Sequence, residues 1–286
     1  MPPVFGVLFD GLAYGMLLFL MSVGLSVTLG MMNFVNLAHC SFAMLGAYVI
    51  VTLMNAWGWP FFASLPVAFF AAALASVALE RLFFRRFYNA SELSQCLLTI
   101  GIVFVSIAGA AYIYGTDVQS VQMPHYLLGS FHVLGVDFAV YRLFLIGVAL
   151  LITVLLGVTI ESTRFGAQVR AAVNNQRMAR GLGINVDGLF AITFALGSGL
   201  AGLGGALAIA MLGLDPSFAL TYLIYVLIVV SVGGLGSISG SFIAAMLLGV
   251  SDIAGKYYVP AVGSFLIYLV MIVLMMWRPA GLFGRR

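Results

Sequence analysis

The feature that most constrains this chain is a series of long apolar runs without charged residues. One of them, LFLIGVALLITVLLGVTI at 143–160, has 18 residues in succession with no acidic or basic side chain. A run of about 18 or more such residues is typical of a transmembrane helix, whereas an outer-membrane barrel would show alternating segments of about ten residues. Because 63% of the residues are hydrophobic and only 7% are charged, a water-soluble domain is excluded. The sequence therefore predicts an all-α polytopic membrane protein.

The apolar runs divide the chain into about eight to ten transmembrane helices, and nine give the simplest arrangement. The first run follows no basic segment, so we expect it to be retained and not removed as a signal peptide. No stretch has the composition of a separate soluble domain, so we expect residues 1–286 to form one transmembrane domain. The nine predicted spans lie at about 9–30, 34–54, 61–84, 95–115, 141–161, 188–212, 218–235, 239–255 and 261–277.

Basic residues indicate how these helices are oriented, because short cytoplasmic loops are enriched in lysine and arginine. Ten of the twelve basic residues lie in three places, at 81–86, at 164–180 and at 278–286. Nine spans put all three places on one side of the membrane and leave only Arg142 and Lys256 on the other. We therefore expect the N-terminus outside and the C-terminus in the cytoplasm.

A cluster of hydrogen-bonding side chains interrupts the apolar pattern at the start of the second span. Asn33, Asn36, His39 and Ser41 lie within nine residues. On a continuous helix the first three would share an arc of about 120°, while Ser41 would point about 160° away from His39. That angle argues against a catalytic pair. Because polar groups are costly in lipid, the arc must face protein, where it would join helices, or a water-filled pathway, which it would line.

The longest hydrophilic segment, residues 162–187, lies on the predicted cytoplasmic side. Ser162 or Thr163 can cap a helix whose apolar residues recur at steps of about three and four, and Gly181 and Gly183 can end it. Its apolar positions are Phe165, Val169, Ala172, Val173 and Ala179. An amphipathic helix of this kind can lie on lipid headgroups or dock on a soluble partner. The periodicity does not distinguish these two uses.

Glycine-rich stretches occur in the second half of the chain. Gly197, Gly199 and Gly202 match the spacing G-x-G-x-x-G, but they lie inside an apolar span, whereas a dinucleotide site needs a strand, a turn and a helix N-terminus. We interpret Gly197, Ala201 and Gly205 as a stripe for close helix packing. A second stretch predicts a broken helix or a tight turn. Its small residues are Gly233, Gly234, Gly236, Ser237, Ser239 and Gly240.

The chain shows no means of using energy by itself. It lacks the G-x-x-x-x-G-K-[ST] motif of a phosphate-binding loop, and its only lysine is Lys256. The acidic residues lie at or near the ends of the predicted spans, whereas a gradient-driven transporter usually has an ionisable residue near mid-membrane. Breaks near residues 33 and 236, one in each half, are typical of a transport pathway. We therefore predict a conduit that another protein drives, or a passive pore.

Other kinds of site are not favoured. Cys40 and Cys96 lie in or beside apolar segments, so we expect buried free thiols and neither a disulfide nor a metal site. The net charge of +3 gives no reason to expect nucleic-acid binding, and we predict no cofactor. An intramembrane hydrolase that uses Ser237 or Ser239 with His39 would lack an orienting acid and a nucleophile turn.

Four stretches form a distinctive combination: GLSVTLGMMNFVNLAHCSFAMLGAY, RFGAQVRAAVNNQRMARGLGINV, GGLGSISGSFIAAMLLG and MMWRPAGLFGRR. In order and spacing they resemble the branched-chain amino-acid permease family of bacterial ABC importers. The resemblance covers nearly the whole chain, and the length is similar to that of the shorter of the two partner permeases. It implies a multi-pass subunit in the inner (plasma) membrane of a bacterial cell.

The resemblance also implies a role for the hydrophilic segment and a set of partners. In that family the loop that matches residues 164–184 docks on the ATP-binding subunit, which favours the soluble partner over lipid. The positions at or near that contact would be Gly166, Arg170, Ala171, Asn175, Ala179, Gly183 and Ile184. The implied partners are a second permease subunit, in a homodimer or heterodimer, two cytoplasmic ATP-binding subunits, and a periplasmic substrate-binding protein. Cys40 stands where a glycine is expected, and its larger side chain could narrow the pathway or shift substrate preference.

We therefore predict a transmembrane permease subunit, without an ATP site of its own, for branched-chain or related amino acids. Relatives with this pattern also serve urea, short amides and small carboxylates, and a passive channel without an ATPase is the alternative from another class. The residues predicted to line or gate the pathway are Asn33, Asn36, His39, Ser41, Ser237 and Ser239. Neutral hydrogen-bonding groups suit this role because they contact a zwitterion without holding it tightly.

Overall fold

The computed structural model describes residues 4–32, 34–88, 90–133 and 136–284, which form a bundle of apolar helices. A π-helical turn, Thr52–Ala56, extends the second helix. In chain order the main elements are α1 (Val4–Met32), α2 (His39–Val51), α3 (Phe61–Leu82), α4 (Glu92–Tyr114), β1 (Ser130–Val133), β2 (Val136–Ala139), α5 (Val140–Ser162), α6 (Arg164–Asn174), α7 (Gln176–Gly181), α8 (Val186–Leu212), α9 (Phe218–Gly233), α10 (Ile238–Tyr258) and α11 (Gly263–Trp277).

The prediction of an all-α polytopic membrane protein is confirmed. Seven of the described helices are long and apolar enough to cross a membrane. The shorter apolar helices α9 and α11 occupy the positions of two further predicted spans. Most helix ends lie within a few residues of the predicted boundaries, but α1 begins at Val4, five residues earlier than predicted, and α2 begins at His39, five residues later.

The centre of the bundle is formed by α1, α2 and α8, whereas α4 and α5 expose most of their surface. A Cβ added at Gly24 of α1 would overlap with the backbone of Gly197, and one at Gly46 of α2 would overlap with Gly202. Gly205 lies equally close to the backbone of α2. Because no side chain separates these helices, their backbones approach directly. The predicted role of the small-residue stripe in close packing is confirmed.

Two features differ from the prediction. Residues 34–38 form a non-helical linker before α2, so the polar arc predicted on a continuous helix is not formed. The reason is local, because Asn36 Oδ1 accepts a hydrogen bond from Ala38 N at 3.1 Å, a turn that competes with helical bonding. The connection between α4 and α5 contains an antiparallel hairpin, with Phe131 opposite Phe138, that the sequence did not indicate.

Candidate functional site

The connection between α5 and α8 (residues 163–185, called here the α5–α8 connection) is built from two short helices. Thr163 Oγ1 accepts a hydrogen bond from Gly166 N at 3.1 Å and caps α6, as predicted. The sequence predicted one continuous helix, but Asn175 has an extended backbone with φ −157° and ψ 98°. Its Oδ1 accepts a hydrogen bond from Met178 N at 3.0 Å and begins α7. A short polar side chain that bonds the following backbone explains the break.

The apolar face of the α5–α8 connection is buried against the protein's own helices. Val169 and Ala172 of α6 and Ala179 of α7 are at most 4% exposed. Gly166 lies so close to α5 that an added Cβ would be 2.6 Å from Ile160 Cα. A helix lying on lipid headgroups would turn this face to the bilayer. The arrangement instead leaves the opposite face of the connection free.

Arginine side chains hold the α5–α8 connection to the helices on either side. Arg170 donates hydrogen bonds to the carbonyl oxygens of Ile160 and Glu161, the second at 3.5 Å. These carbonyls belong to the last turn of α5, where intrahelical donors run out. Arg180 donates to Asp187 Oδ1 at 2.7 Å, at the start of α8. A displacement of α6 would therefore be passed to α5 through Arg170.

Three large apolar side chains of the α5–α8 connection are exposed. Val173, Met178 and Leu182 are 39%, 66% and 79% exposed. Exposed apolar groups surrounded by polar residues are typical of a contact with another protein. Met178 and Leu182 were not singled out from the sequence, and Val173 was placed among the apolar positions of the predicted helix. Met178 and Leu182 are four residues apart, a spacing that indicates a shared helix face. The break at Asn175 changes the helical phase, so this face could not be related to that of α6 from the sequence.

Several residues that the family resemblance placed at this contact shape the connection itself. Gly166 and Ala179 are buried, so they lie beneath the exposed residues of the connection and are not accessible to a partner themselves. The Ala171 carbonyl accepts the last hydrogen bond of α6, and Ile184 N donates to the Ala179 carbonyl at 3.1 Å. Gly183, at φ +82°, turns the chain toward α8. A partner would touch the exposed residues between these positions.

At the start of α2, three predicted pathway residues each carry a buried polar atom without a partner. Asn36 Nδ2, His39 Nδ1 and Ser41 Oγ make no hydrogen bond within the described part of the chain. His39 Nε2, however, lies 3.1 Å from the carbonyl oxygen of Met21, so α2 is bonded to α1 here. His39 therefore joins α2 to α1. Buried polar atoms without a protein partner are usually satisfied by water or by a ligand. Asn33 lies outside the described residues.

The linker before α2 is held by α4, through residues that sequence analysis did not single out. Val35 N donates to Gln95 Oε1 at 3.1 Å, and Thr99 Oγ1 lies 3.5 Å from the Val35 carbonyl oxygen. Gln95 Nε2 donates in turn to the Phe87 carbonyl at 3.2 Å. The sequence contained a signal for this contact, because Gln95 and Thr99 are polar residues four positions apart in an apolar span and therefore share one helix face.

The segment between α3 and α4 packs on the same linker. The ring centroids of Phe34 and Phe84 are 5.4 Å apart, and those of Phe34 and Tyr88 are 5.5 Å apart. The Tyr88 hydroxyl donates to Glu80 Oε1 at 2.6 Å. Burial raises the pKa of Tyr88, and the hydrogen bond to Glu80 raises it further. The phenol therefore stays protonated and neutral.

The glycine-rich stretch between α9 and α10 forms a tight turn, as predicted. Gly234 and Gly236 have φ values of +98° and +79°, which glycine adopts without a steric penalty. Ser237 Oγ accepts a hydrogen bond at 3.0 Å from Gly240 N and caps α10. A Cβ added at Gly236 would lie 2.9 Å from Gly30 Cα of α1. The turn therefore lies against the end of α1.

A groove of about 580 Å³ opens between this turn, α6 and the end of the chain, with Arg170, Ser237 and Phe283 among its walls. The C-terminal segment, residues 278–284, lies along the turn. Leu282 N donates to the Val232 carbonyl at 2.7 Å, and Phe283 N donates to the Gly233 carbonyl at 3.2 Å. These bonds occupy carbonyls at the end of α9 that would otherwise lack partners.

The predicted pathway residues thus form two separate groups. Asn36, His39 and Ser41 lie around the start of α2, whereas Ser237 and Ser239 lie at the start of α10, with Ser239 exposed beside a smaller cavity of about 210 Å³. His39 Nε2 is engaged with Met21 and Ser237 Oγ is engaged as a cap, so the two are not paired as base and nucleophile. The residues that the structure describes contain no cluster of three or more His, Cys, Asp or Glu that could hold a metal ion.

Comparison with known proteins finds relatives along nearly the whole chain. The family described as "Branched-chain amino acid transport system / permease component" matches residues 7–275. A probable branched-chain amino acid transport permease, LivH of Methanocaldococcus jannaschii, is 30% identical over 97% of this chain and 92% of its own length. BraD of Pseudomonas aeruginosa, a high-affinity branched-chain amino acid transport system permease, is 27% identical over 97% of this chain and 95% of its own.

Two relatives from Escherichia coli indicate which type of permease the chain is similar to. LivH is 26% identical over 97% of this chain and 94% of its own length. LivM is also 26% identical, but the match covers 93% of this chain and only 68% of LivM. The length therefore agrees with the LivH type, the shorter of the two. No solved structure matches the chain.

Proposed function

This chain belongs to the family of branched-chain amino-acid transport permeases, and from that premise we propose that it is the membrane subunit through which an ATP-driven importer moves branched-chain amino acids. The named relatives support this substrate class, because LivH and BraD are both described as branched-chain amino acid permeases. The chain itself supplies transmembrane helices and a groove, and ATP hydrolysis belongs to partner chains.

The α5–α8 connection is the observation that carries the proposal. Gly166 packs directly on α5, and Val173, Met178 and Leu182 are exposed, with Val173 on the wall of the groove beside α6. Cytoplasmic ATP-binding subunits would bind this free face, with the three apolar side chains at the contact. Movement of these subunits would displace α6, and the bonds from Arg170 to the end of α5 would pass the displacement into the membrane.

The substrate pathway is proposed to use neutral hydrogen-bonding groups. The unpaired atoms of Asn36, His39 and Ser41 would contact the substrate or its water near the start of α2. Ser237 and Ser239 would do so at the start of α10, and Asn33 is assigned the same role by its position in the sequence. Groups of this kind bind weakly, which suits a permease that must release its cargo.

The proposed assembly is a pair of permeases with two ATP-binding subunits and a periplasmic binding protein. The existence of LivH and LivM relatives favours a heterodimer with a longer, LivM-type partner over a homodimer. We place the N-terminus outside and the C-terminus in the cytoplasm of a bacterial cell, because ten of the twelve basic residues then lie inside. Residues 1–286 would act as one permease domain.

Two alternatives differ from this proposal in substrate and in energy source. A permease of the same kind for urea, short amides or small carboxylates would share the fold and the α5–α8 connection. A passive channel would share the glycine-rich turn and the scarcity of charge, but it would have no use for exposed apolar groups on the α5–α8 connection. That surface favours the importer.

The test is reconstitution of the chain with its ATP-binding subunits, partner permease and binding protein in liposomes. Leucine uptake should require ATP and the binding protein. Met178→Asp combined with Leu182→Asp should remove the ATP-binding subunits from the purified complex and lower uptake at least tenfold. Val118→Asp is the matched control, because Val118 is 67% exposed, close to the 66% of Met178, but lies in the α4–α5 connection. Leucine flux through the chain alone would refute the importer in favour of a channel.

A further inference from the structure

The half of α10 that is far from the α9–α10 turn contains an ion pair that the proposed pathway does not use. Asp252 is completely buried, and its Oδ2 accepts a hydrogen bond from Lys256 Nζ at 2.6 Å. Lys256 lies one turn further along α10 with its side chain 45% exposed, and it is the only lysine of the chain. A carboxylate is costly to bury unless it is paired, so this position calls for an explanation.

The second oxygen of the Asp252 carboxylate has no partner. Asp252 Oδ1 makes no hydrogen bond with any group in the described part of the chain. An ionised carboxylate can accept about four hydrogen bonds. A pair four residues apart on an exposed helix face is an ordinary stabilising contact. Here Asp252 is buried and only one of its two carboxylate oxygens is bonded. A purely stabilising role would explain why Lys256 pairs with Asp252, but not why a carboxylate is buried at this position.

The aromatic ring of Tyr14 on α1 lies beside this pair. Lys256 Nζ is 5.8 Å from the ring centroid of Tyr14. Tyr222 and Tyr225 of α9 lie in the same region as Asp252, and the ring centroids of Tyr225 and Tyr268 of α11 are 6.3 Å apart. Aromatic faces attract cations, so the Tyr14 ring suits an ammonium group bound at Asp252.

We propose that Asp252 and Lys256 form a recognition site for the zwitterionic head group of an α-amino acid. In this structure Lys256 Nζ occupies the place on Asp252 that the substrate's ammonium group takes. On arrival of the substrate, its ammonium group binds Asp252, and the Lys256 side chain turns outward to pair with the substrate carboxylate. One ion pair is exchanged for two, so no unpaired charge is left in the membrane.

The position and flexibility of the pair fit this role. Asp252 lies six residues before the end of α10, about 9 Å along the helix axis. That end is opposite to the arginine-rich side, so it faces the compartment from which a binding protein delivers substrate. Lysine has a flexible four-carbon stem, and a half-exposed one can leave its partner without disturbing the helix. This proposal rests on the proposed function. It adds a charged contact between the substrate and the permease to the neutral contacts proposed above.

The first test uses the assembled complex in liposomes and labelled leucine. Asp252→Asn combined with Lys256→Gln removes both charges, so no unpaired charge remains to prevent folding. We expect uptake at limiting leucine to fall at least tenfold, with the composition of the purified complex unchanged. Uptake within twofold of the parent would overturn the proposal.

A matched control is the pair between Asp10 of α1 and Arg142 of α5, which also lies toward this end of the bundle. Asp10→Asn combined with Arg142→Gln should leave uptake within twofold of the parent. An equal loss in both double variants would show that these ion pairs only stabilise the fold, and would overturn the recognition role.

The second test does not depend on transport. Because Lys256 is the only lysine, modification by an amine-reactive reagent, followed on this chain by mass spectrometry, reports its accessibility. Saturating leucine, added with the binding protein, should change the rate at least threefold because Lys256 exchanges Asp252 for the substrate carboxylate, whereas 4-methylpentanoate, which lacks the ammonium group needed to displace Lys256, should not. Equal rates with both compounds would overturn the site. A response of Lys256 in a complex that fails to import leucine would refute the proposed function and leave the site standing.

Discussion

Replacement of Gly166 by valine tests whether the α5–α8 connection transmits motion between the partner subunits and the membrane. The Cβ of the new side chain would lie 2.5 Å from Ile160 C and 2.6 Å from Ile160 Cα, whereas ordinary contacts begin near 3.4 Å. Both neighbours are backbone atoms of α5 and cannot turn aside. Helix α6 must therefore move away from α5 by about 1 Å, which also stretches the hydrogen bonds of Arg170.

The consequence should be a loss of coupling and not a loss of folding. Gly166 lies at the margin of the bundle, and the packing of α1, α2 and α8 does not involve it. A misplacement of about 1 Å in a positioning element can lower a rate by up to about 100-fold. We expect stimulation of ATP hydrolysis by the loaded binding protein, and leucine uptake, to fall at least tenfold, while the purified complex keeps its composition.

The matched control for this variant is the neighbouring position. Ala167→Val introduces the same side chain into the same helix at an exposed site, so it tests the effect of a β-branched residue in α6 without the collision. It should retain uptake within twofold of the parent. If Gly166→Val and Ala167→Val transport leucine equally well, the reasoning that links the position of α6 to transport is wrong.

Three further variants test packing, the linker and the pathway. Gly24→Val should force α1 away from α8 and lower the free energy of unfolding by about 2–3 kcal/mol, which is measured as a lower thermal unfolding midpoint in detergent. Gly101→Val is the control, because a Cβ added there meets open space, and it should leave the midpoint unchanged. Gln95→Ala leaves the half-buried backbone N–H of Val35 without its partner, at a cost of about 1 kcal/mol, and should accelerate hydrogen exchange of Val35; unchanged exchange would contradict the bond. His39→Ala should lower leucine uptake with assembly intact, and normal uptake would leave it only the role of joining α1 and α2.

The membrane helices could be predicted because their signal is local. Apolar runs of sufficient length define a span wherever they occur, and the spacing of Gly197, Ala201 and Gly205 by four residues shows that one helix face is small before any neighbour is known. The N-cap at Thr163 is equally local, since a hydroxyl bonds a backbone three residues away. Family resemblance then added the function of the α5–α8 connection, which periodicity had left open.

The features that were missed depend on contacts between distant parts of the chain. The late start of α2 reflects the turn at Asn36 together with the bond from Val35 to Gln95, 60 residues away. The significance of Asp252 was hidden for a related reason. Its position near the end of a predicted span suggested contact with water, and only the packing of α1, α9 and α11 around it makes it buried.

The bonds from Leu282 and Phe283 to the end of α9 have a consequence for biosynthesis. Residues 278–284 follow all of the described helices in the chain, so they are synthesised after the α9–α10 turn to which they bond. The groove beside α6 is therefore completed later than the helices that form its other walls. Loss of this short segment would spare every described helix and yet leave an unfinished surface beside α6, where partner subunits are proposed to bind.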